Sequence, residues 1–324
     1  MSDILAREVP MSDILIRTPQ PGETQALRDI WSLVFGNTGL SSFFELLYDE
    51  RLCMVADING SPAAVGYLVP TGDLLLNNTQ VPCAMIYSVA TLPGHRGKGL
   101  GTAVVRKLID LARELDFPAI VLCPSDSDLF EYYSKHTELK EYFYAREQIL
   151  SYEQVFKHRL SGNRMALLKE VPADEYIRLR ENLLIGVPHI RQEQNIFDYQ
   201  ISLCKELGGG LFQLNDSCAV AEAAPDGTVL IKELLTFGID KSGTNYSGIN
   251  YSGINDSGAT DFDLIAAIAS RFPAHSYIVR SPAQKEKGSR FGMLGFDADT
   301  GNNADTVEVA DRSITEPWYG MGLE

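Results

Sequence analysis

The chain has 324 residues, a formal net charge of −15 and 45% apolar residues, which is ordinary for a globular protein of about two domains. The charge disfavours nucleic acid and anionic membranes as partners. It is compatible with a cationic substrate, though solubility alone explains it at least as well. No stretch reaches the ~18 or more uncharged apolar residues of a membrane span, and no basic segment followed by an apolar run marks a secretory leader. Five cysteines (Cys53, Cys83, Cys123, Cys204 and Cys218) are widely spaced, with no CxxC and no Cys/His ligand spacing. This argues against a disulfide framework and against a metal site, and points to a reducing cytoplasm.

In chain order, MSDIL occurs at Met1 and again at Met11, so residues 1–13 read as a disordered N-terminal extension. A strand is expected at Ile14–Arg17, helices around Glu23–Phe35 and Ser42–Asp49, and strands near Cys53–Ile58 and Ala63–Val69, joined by a hairpin turn at Asn59-Gly60. A longer strand spans Val81–Thr91, and after a Gly-rich turn comes a helix at Thr102–Leu115. Ala119–Cys123 reads as a short buried strand, Ser125–Asp128 as the polar cap of a helix at Leu129–His136, and Tyr142–Leu150 as a strand. Tyr152–Asn163 is polar and reads as a linker.

The second part repeats the pattern. Strands are expected at Met165–Lys169, Leu211–Leu214, Ala219–Ala223, Val229–Leu235 and Ser276–Arg280, with helices at Ala173–Leu184, Asn195–Leu207 and Asp261–Arg271. Between strand and last helix lies residues 240–258, a tract with a tandem NYSGI repeat and Lys241 as its sole basic residue, which reads as a flexible Gly/Ser/Asn loop.

The turn after Thr91 carries the strongest chemical signal. Three glycines (Gly97, Gly99 and Gly101) and three basic or imidazole side chains (His95, Arg96 and Lys98) fall within seven residues, ahead of a periodic helix. Glycines let an anion approach the main chain, and the positive end of the helix dipole favours a diphosphate. Neither a Walker A loop nor a dinucleotide fingerprint fits the spacing. Leu100, Gly101 and Thr102 follow Gly99 where the first needs Lys-Ser/Thr, and the second needs Gly-x-Gly-x-x-Gly. A ligand-free Gly-rich turn would not require so many glycines and cations.

Arg-x-x-Gly-x-Gly, read from Arg96 through Gly99 to Gly101, resembles the acetyl-CoA pyrophosphate loop of the GNAT superfamily of N-acetyltransferases. The element order over residues 14–151 matches that fold, an α/β class with a mixed sheet. The resemblance implies that the two central parallel strands splay to admit the pantetheine arm. It also implies that acetyl-CoA is held by Arg96, Gly97, Lys98, Gly99, Leu100, Gly101 and Thr102, with main-chain N–H groups among Val89, Ala90 and Thr91 facing the thioester oxygen. LFEYYSK resembles the family's last helix, which makes Tyr133 the general acid for the leaving thiolate and Tyr132 a packing neighbour in the core. A phenol with a pKa near ~10 can protonate a thiolate whose thiol lies near ~8.5 without losing its proton beforehand.

Residues 164–324 read as a degenerate GNAT-like domain lacking the anion loop, with Phe291–Phe296 resembling the aromatic and Gly-Phe segment after the last helix. This tandem arrangement is similar to the core of enhanced-intracellular-survival-type acetyltransferases. The general base is not readable. Tyr87 and Ser88 offer no carboxylate, and Asp126, Asp128 and Glu131 lie near a helix start, where capping explains them equally well. The subgroup resemblance points to the terminal carboxylate of Glu324. The expected activity is acetyl transfer from acetyl-CoA to the primary amine of a small molecule or peptide. The alternative is a CoA-binding sensor or scaffold without turnover. The acceptor and the oligomeric state, a homo-oligomer included, are left open.

Overall fold

A computed structural model describes residues 14–76, 79–159, 167–224, 226–236, 238–239, 245–246, 259–283 and 285–296. The expected extension at 1–13, all of the 240–258 tract except Asn245–Tyr246, and the chain end with Glu324 lie outside the described residues.

The first part runs β1 (Ile14–Arg17), α1 (Thr24–Phe35), α2 (Leu40–Leu46), β2 (Cys53–Ile58), β3 (Ser61–Leu76), β4 (Thr79–Thr91), α3 (Leu100–Glu114), β5 (Ala119–Leu122), α4 (Ser127–His136) and β6 (Lys140–Ser151). Asn59 and Gly60 both take positive φ, 54° and 82°, as the hairpin between β2 and β3 requires. Helix α3 buries Leu100, Val104, Val105, Leu108, Ile109 and Ala112, spaced to fall on one face. Gly66 lets that face approach the sheet, since a Cβ there would lie 2.9 Å from Val104 Cγ1. β3 runs past the expected end at Val69 through a register shift in which Thr71 is the extra residue between the pairs Pro70↔Ala84 and Gly72↔Cys83, its Oγ1 donating to the Cys83 carbonyl at 3.0 Å.

The second part adds α5 (Tyr152–Arg159), β7 (Lys169–Glu170), α6 (Ala173–Leu183), β8 (His189–Gln192), α7 (Gln194–Glu206), β9 (Gly210–Leu214), β10 (Ser217–Ala223), β11 (Thr228–Leu235), β12 (Gly238–Ile239), β13 (Asn245–Tyr246), α8 (Ala259–Arg271), β14 (Ser276–Pro282) and β15 (Ser289–Phe296). The segment expected to be a linker begins as helix α5. Its start is a reciprocal cap. Gln154 N–H donates to Ser151 Oγ at 3.3 Å, Ser151 N–H donates to Gln154 Oε1 at 2.8 Å, and Val155 is buried against α8. Of the strand expected at Met165–Lys169, residues 165–166 lie outside the described residues, and a two-residue strand is described at Lys169–Glu170. Strand β8, four residues following Pro188, carried no alternation by which to foresee it.

All strands except the β12–β13 pair join one mixed sheet in the order β1-β2-β3-β4-β5-β15-β6-β14-β11-β10-β9-β7, with β8 added to β3. Two pairs are parallel, β4 with β5 and β11 with β14. The path β7-β9-β10-β11-β14-β6 therefore repeats β1-β2-β3-β4-β5-β15, and each half lends its last strand to the other. β15 pairs with β5 from Met293↔Leu122 to Phe296↔Ala119 and with β6 from Ser289↔Ala145 to Leu294↔Lys140. β6 in turn pairs with β14 from Ala145↔Pro282 to Ser151↔Ser276.

One apolar cluster on the side of α1, α2, α6 and α7 runs across both halves, from Trp31 and Phe43 to Tyr176 and Phe197. Helices α3 and α4 cover the opposite face of the first half, and α5 and α8 that of the second. Polar contacts also tie the halves: Glu206 on α7 accepts from Ser42 Oγ at 2.9 Å and from the Gly39 amide at 2.9 Å. Within the second half, Arg180 and Glu233 are both fully buried, 3.1 Å apart, and Tyr176 donates to Glu233 at 2.8 Å.

Gly72 marks where β8 docks on β3. Its φ is +116°, and a Cβ there would lie 2.2 Å from the Arg191 carbonyl oxygen. Gly72→Ala is expected to destabilise the protein by about 2–4 kcal/mol, from overpacking plus an unfavourable backbone region. A fall in the urea midpoint with an unchanged m-value checks it.

Candidate functional site

The parallel pairing of β4 with β5 ends at Ile86↔Leu122, while β4 continues for five residues to Thr91. Two features drive the strands apart. β4 carries one extra residue between Tyr87 and Ala90, opposite Tyr67 and Val65, with Ser88 at φ 47°. Beyond Leu122 the chain passes through Cys123 to Pro124, which has no N–H for a ladder. On its β5 side the end of β4 has no strand partner among the described residues.

The gap opens into a cavity of about 970 Å³ that draws on both faces of the sheet. Phe130 and Tyr133 of α4 enter it from the α3/α4 side. Trp31 of α1 and Tyr199 of α7 line it from the other, where Tyr199 and Tyr87 share a hydroxyl hydrogen bond of 3.0 Å. Both halves of the chain therefore build its wall.

The Gly-rich turn leads from β4 into α3. Pro93–His95 forms a single tight turn, and Gly97 and Gly99 take φ of 77° and 76° with open space where a Cβ would sit. Gly99 is the N-cap of α3, with no side chain bonded to the helix start and no acid in the first turn. The amides of Leu100, Gly101 and Thr102 thus lack intrahelical acceptors and carry the positive end of the helix dipole. Arg96 Nε donates to the Thr91 carbonyl at 3.2 Å and Lys98 Nζ to the Gly94 carbonyl at 3.5 Å, holding both cations at the rim. Val89 connects this turn with the cavity. It lines the cavity, and its Cγ1 would lie 3.8 Å from a Cβ on Gly101. Ala90 is buried in the core and Thr91 is half-buried at the strand end, so neither side chain lines the cavity.

Asp126 caps α4, accepting from the amides of Asp128 and Leu129 at 3.1 and 3.2 Å. The helix places its two tyrosines differently. Tyr133 is buried at the cavity, where loss of solvation, then Tyr132 and Asp126, push its hydroxyl up to about 12. Tyr132, expected in the core, is 38% exposed. Its hydroxyl pairs with Thr102 Oγ1 in the first turn of α3, and its ring packs edge-on to Tyr133 with centroids 5.6 Å apart. The correction has a simple cause: adjacent helical positions point about 100° apart, so only one of the pair can face inward.

A charged wall was not foreseen. Glu147 of β6 and Arg280 of β14 are cross-strand partners lining the cavity, with Arg280 Nε and Nη2 both donating to Glu147 Oε1 at 3.0 and 2.7 Å. Arg280 also stacks over Phe291, 4.7 Å from the ring centroid. Arg290 of β15 donates to Glu141 at 2.9 Å, to Glu131 at 3.2 Å and to the Ser127 carbonyl at 3.4 Å, and lies 5.2 Å over Phe130. It thereby fastens α4 to β6 from a strand 149 positions further on than Glu141. No local pattern signals pairings of that separation. Among the described residues, no His/Cys/Asp/Glu group could hold a metal ion, and no helix is long and apolar enough to cross a membrane. His189 is buried and bonded to the Val187 carbonyl and to Glu181.

Residues 24–135 match the family model described as the acetyltransferase (GNAT) family. No curated protein matches the chain. Among solved structures, a GCN5-related N-acetyltransferase from Kribbella flavida superposes with a TM-score of 0.59 at 12% identity, covering 88% of this chain and 72% of that one. One from Anabaena variabilis gives 0.59 at 14% identity, covering 87% and 72%. Eis1 from Mycobacterium abscessus gives 0.54 at 9% identity, covering 87% and 73%. At these identities the likeness is one of fold, and it extends well beyond residues 24–135.

The clamp made by Arg290 has a direct test. Arg290→Leu is expected to speed hydrogen exchange at the α4 amides by about threefold or more, with α3 unaffected, because local opening of α4 no longer has to break those bonds. Exchange followed by mass spectrometry on α4 and α3 peptides reads the contrast.

Proposed function

Because residues 24–135 of the chain are a GNAT-family acetyltransferase domain, we propose that the protein transfers an acetyl group from acetyl-CoA to the primary amine of a small molecule or peptide. The observation that carries this reading is a through-sheet cavity with Tyr133 on its wall, adjoining a helix start left uncapped by side chains. The residues fit the cosubstrate. Arg96, Gly97, Lys98, Gly99, Leu100, Gly101 and Thr102 form a cationic turn where a pyrophosphate meets free amides at the helix start and open space at Gly97 and Gly99. The pantetheine arm then follows Val89 into the gap between β4 and β5.

In this mechanism the main chain of Val89–Thr91, unpaired on the β5 side, faces the thioester oxygen and stabilises the charge that develops there. The amine nitrogen attacks the carbonyl carbon, and the C–S bond breaks with its electron pair going to sulfur. Tyr133 gives its phenolic proton to that sulfur. Burial keeps Tyr133 protonated at neutral pH, and the same burial raises the proton affinity of a thiolate beside it.

Residues 14–151 and 164–324 are proposed as tandem GNAT-like units, the second degenerate. The repeated strand order and the parallel pair in each half support this. In the second unit β11 leads to α8 by way of the 240–258 tract, and its role is to wall the acceptor side through Tyr199, Leu203 and Arg280. Five free thiols support a reducing, cytoplasmic setting.

Gly99→Glu places a carboxylate and a Cβ in the pyrophosphate seat, so acetyl-CoA binding measured by calorimetry is expected to vanish. Tyr133→Phe is expected to lower kcat by about 10²-fold, about 2.7 kcal/mol of transition-state stabilisation, with acetyl-CoA affinity nearly intact. Tyr132→Phe is expected to leave kcat close to wild type. Thiol release with an amine panel measures both. Acetyl-CoA binding without thiol release from any amine would favour a sensor or scaffold, and equal rates for Tyr133→Phe and wild type would place the acid elsewhere.

A further inference from the structure

The acid side of the reaction has a residue, but the base side has none on β4, where Tyr87 and Ser88 stand. We infer that Glu147 is the group that receives the acceptor's ammonium and takes its proton. The inference rests on the acetyltransferase reading. Three observations carry it. Glu147 lines the same cavity as Tyr133, yet it projects from the face of β6 that also carries Phe143 and Ala145, both in the core beneath α1, α2 and α7. Tyr133 comes from α4 on the opposite face. A thioester threaded through the gap would thus meet its proton donor on one side of the sheet and its nucleophile on the other.

The second observation is how the carboxylate is held. Arg280 Nε and Nη2 both donate to Oε1, which leaves Oε2 without a protein donor among the described residues. Arg280 itself is 6% exposed and stacked on Phe291, so the pair is rigid on one side and open on the other. Glu147 keeps half of its side-chain surface, as a group must to meet a diffusing substrate. The third is the surrounding wall. Trp31, Phe35, Tyr87, Tyr199 and Phe291 line the cavity, a surface suited to the apolar body of an amine and to the face-on approach of its cationic head. The acceptor class that fits is an aryl-alkyl or alkyl primary amine, protonated in solution.

The proton balance closes without a further reagent. The ammonium gives one proton to Glu147, and the freed nitrogen lone pair forms the C–N bond. Sulfur takes the Tyr133 proton as the C–S bond breaks. The second proton shed by nitrogen restores Tyr133, and Glu147 releases its own to water. One ammonium and one acetyl thioester become one amide, one thiol and one hydrogen ion.

The test compares two acceptors of similar shape. β-Phenylethylamine is an ammonium at neutral pH, whereas phenylhydrazine is uncharged and needs no base before attack. Glu147→Gln is expected to lower kcat/KM for β-phenylethylamine by about 10²-fold and for phenylhydrazine by less than about fivefold, the difference being the base's share. Acetyl-CoA affinity by calorimetry and the melting temperature should stay near wild type, and Glu147→Asp should recover part of the loss. Equal losses with both acceptors would make Glu147 a structural partner of Arg280 and overturn the inference, as would no loss with either. Those outcomes leave acetyl transfer standing. Failure of the wild-type protein to bind acetyl-CoA would overturn the acetyltransferase reading and this inference with it. Binding without acetylation of either amine would overturn the inference and leave cosubstrate binding in place.

Discussion

Strand β15 lies between β5 and β6, and the architecture of the site depends on that main-chain pairing. β5 is only four residues long and fully buried, and it follows β4 for no more than the four pairs that end at Leu122. A buried strand with one edge unpaired leaves amides and carbonyls without partners, each costing about 1–3 kcal/mol. β15 satisfies the second edge of β5 and at the same time brings Ser289, Arg290 and Phe291 to the cavity wall. The parting of β4 and β5 that creates the cavity is thus tolerated because β5 is held from the other side, by a segment from the far end of the described chain.

The reciprocal loan of β6 to the second half has a mechanical consequence. The cavity's charged wall is a cross-strand pair, Glu147 from one half and Arg280 from the other, in register across β6 and β14. A hinge between the halves would break that register and separate Tyr87 from Tyr199. The shared apolar cluster and the contacts of Glu206 with α2 oppose such a motion. The second half therefore acts as a fixed part of the site.

Charge is distributed with the same logic. The chain carries a net charge of −15, yet its Gly-rich turn presents Arg96 and Lys98 and no acid in the first turn of α3. A locally positive turn at an uncapped helix start on an acidic molecule is a favourable seat for an anion. Inside the second half the charges are buried and matched. Arg180 is held by Glu233 and Lys232 by Glu222, and removing one member would strand the other in the core.

Much of the fold was legible because its signals are local. The periodic apolar face of α3, the Asn59-Gly60 turn, the capping role of Asp126 and the spacing of Arg96, Gly99 and Gly101 depend on residues within a few positions of one another. The Tyr132–Tyr133 pair on α4 was local too, although only the packed helix turned Tyr133 to the cavity and Tyr132 outward onto Thr102. The Ser151–Gln154 cap that starts α5 was also local, and its polar composition concealed it. What tertiary structure decided is everything joined across long stretches of chain: β15 between β5 and β6, β8 on β3, Glu147 opposite Arg280, and Tyr199 against Tyr87. Strand order is chosen by which edges can satisfy their hydrogen bonds and bury their faces together. That choice is a property of the whole assembled sheet, so a single stretch of sequence determines a strand and its inward face but not its neighbour.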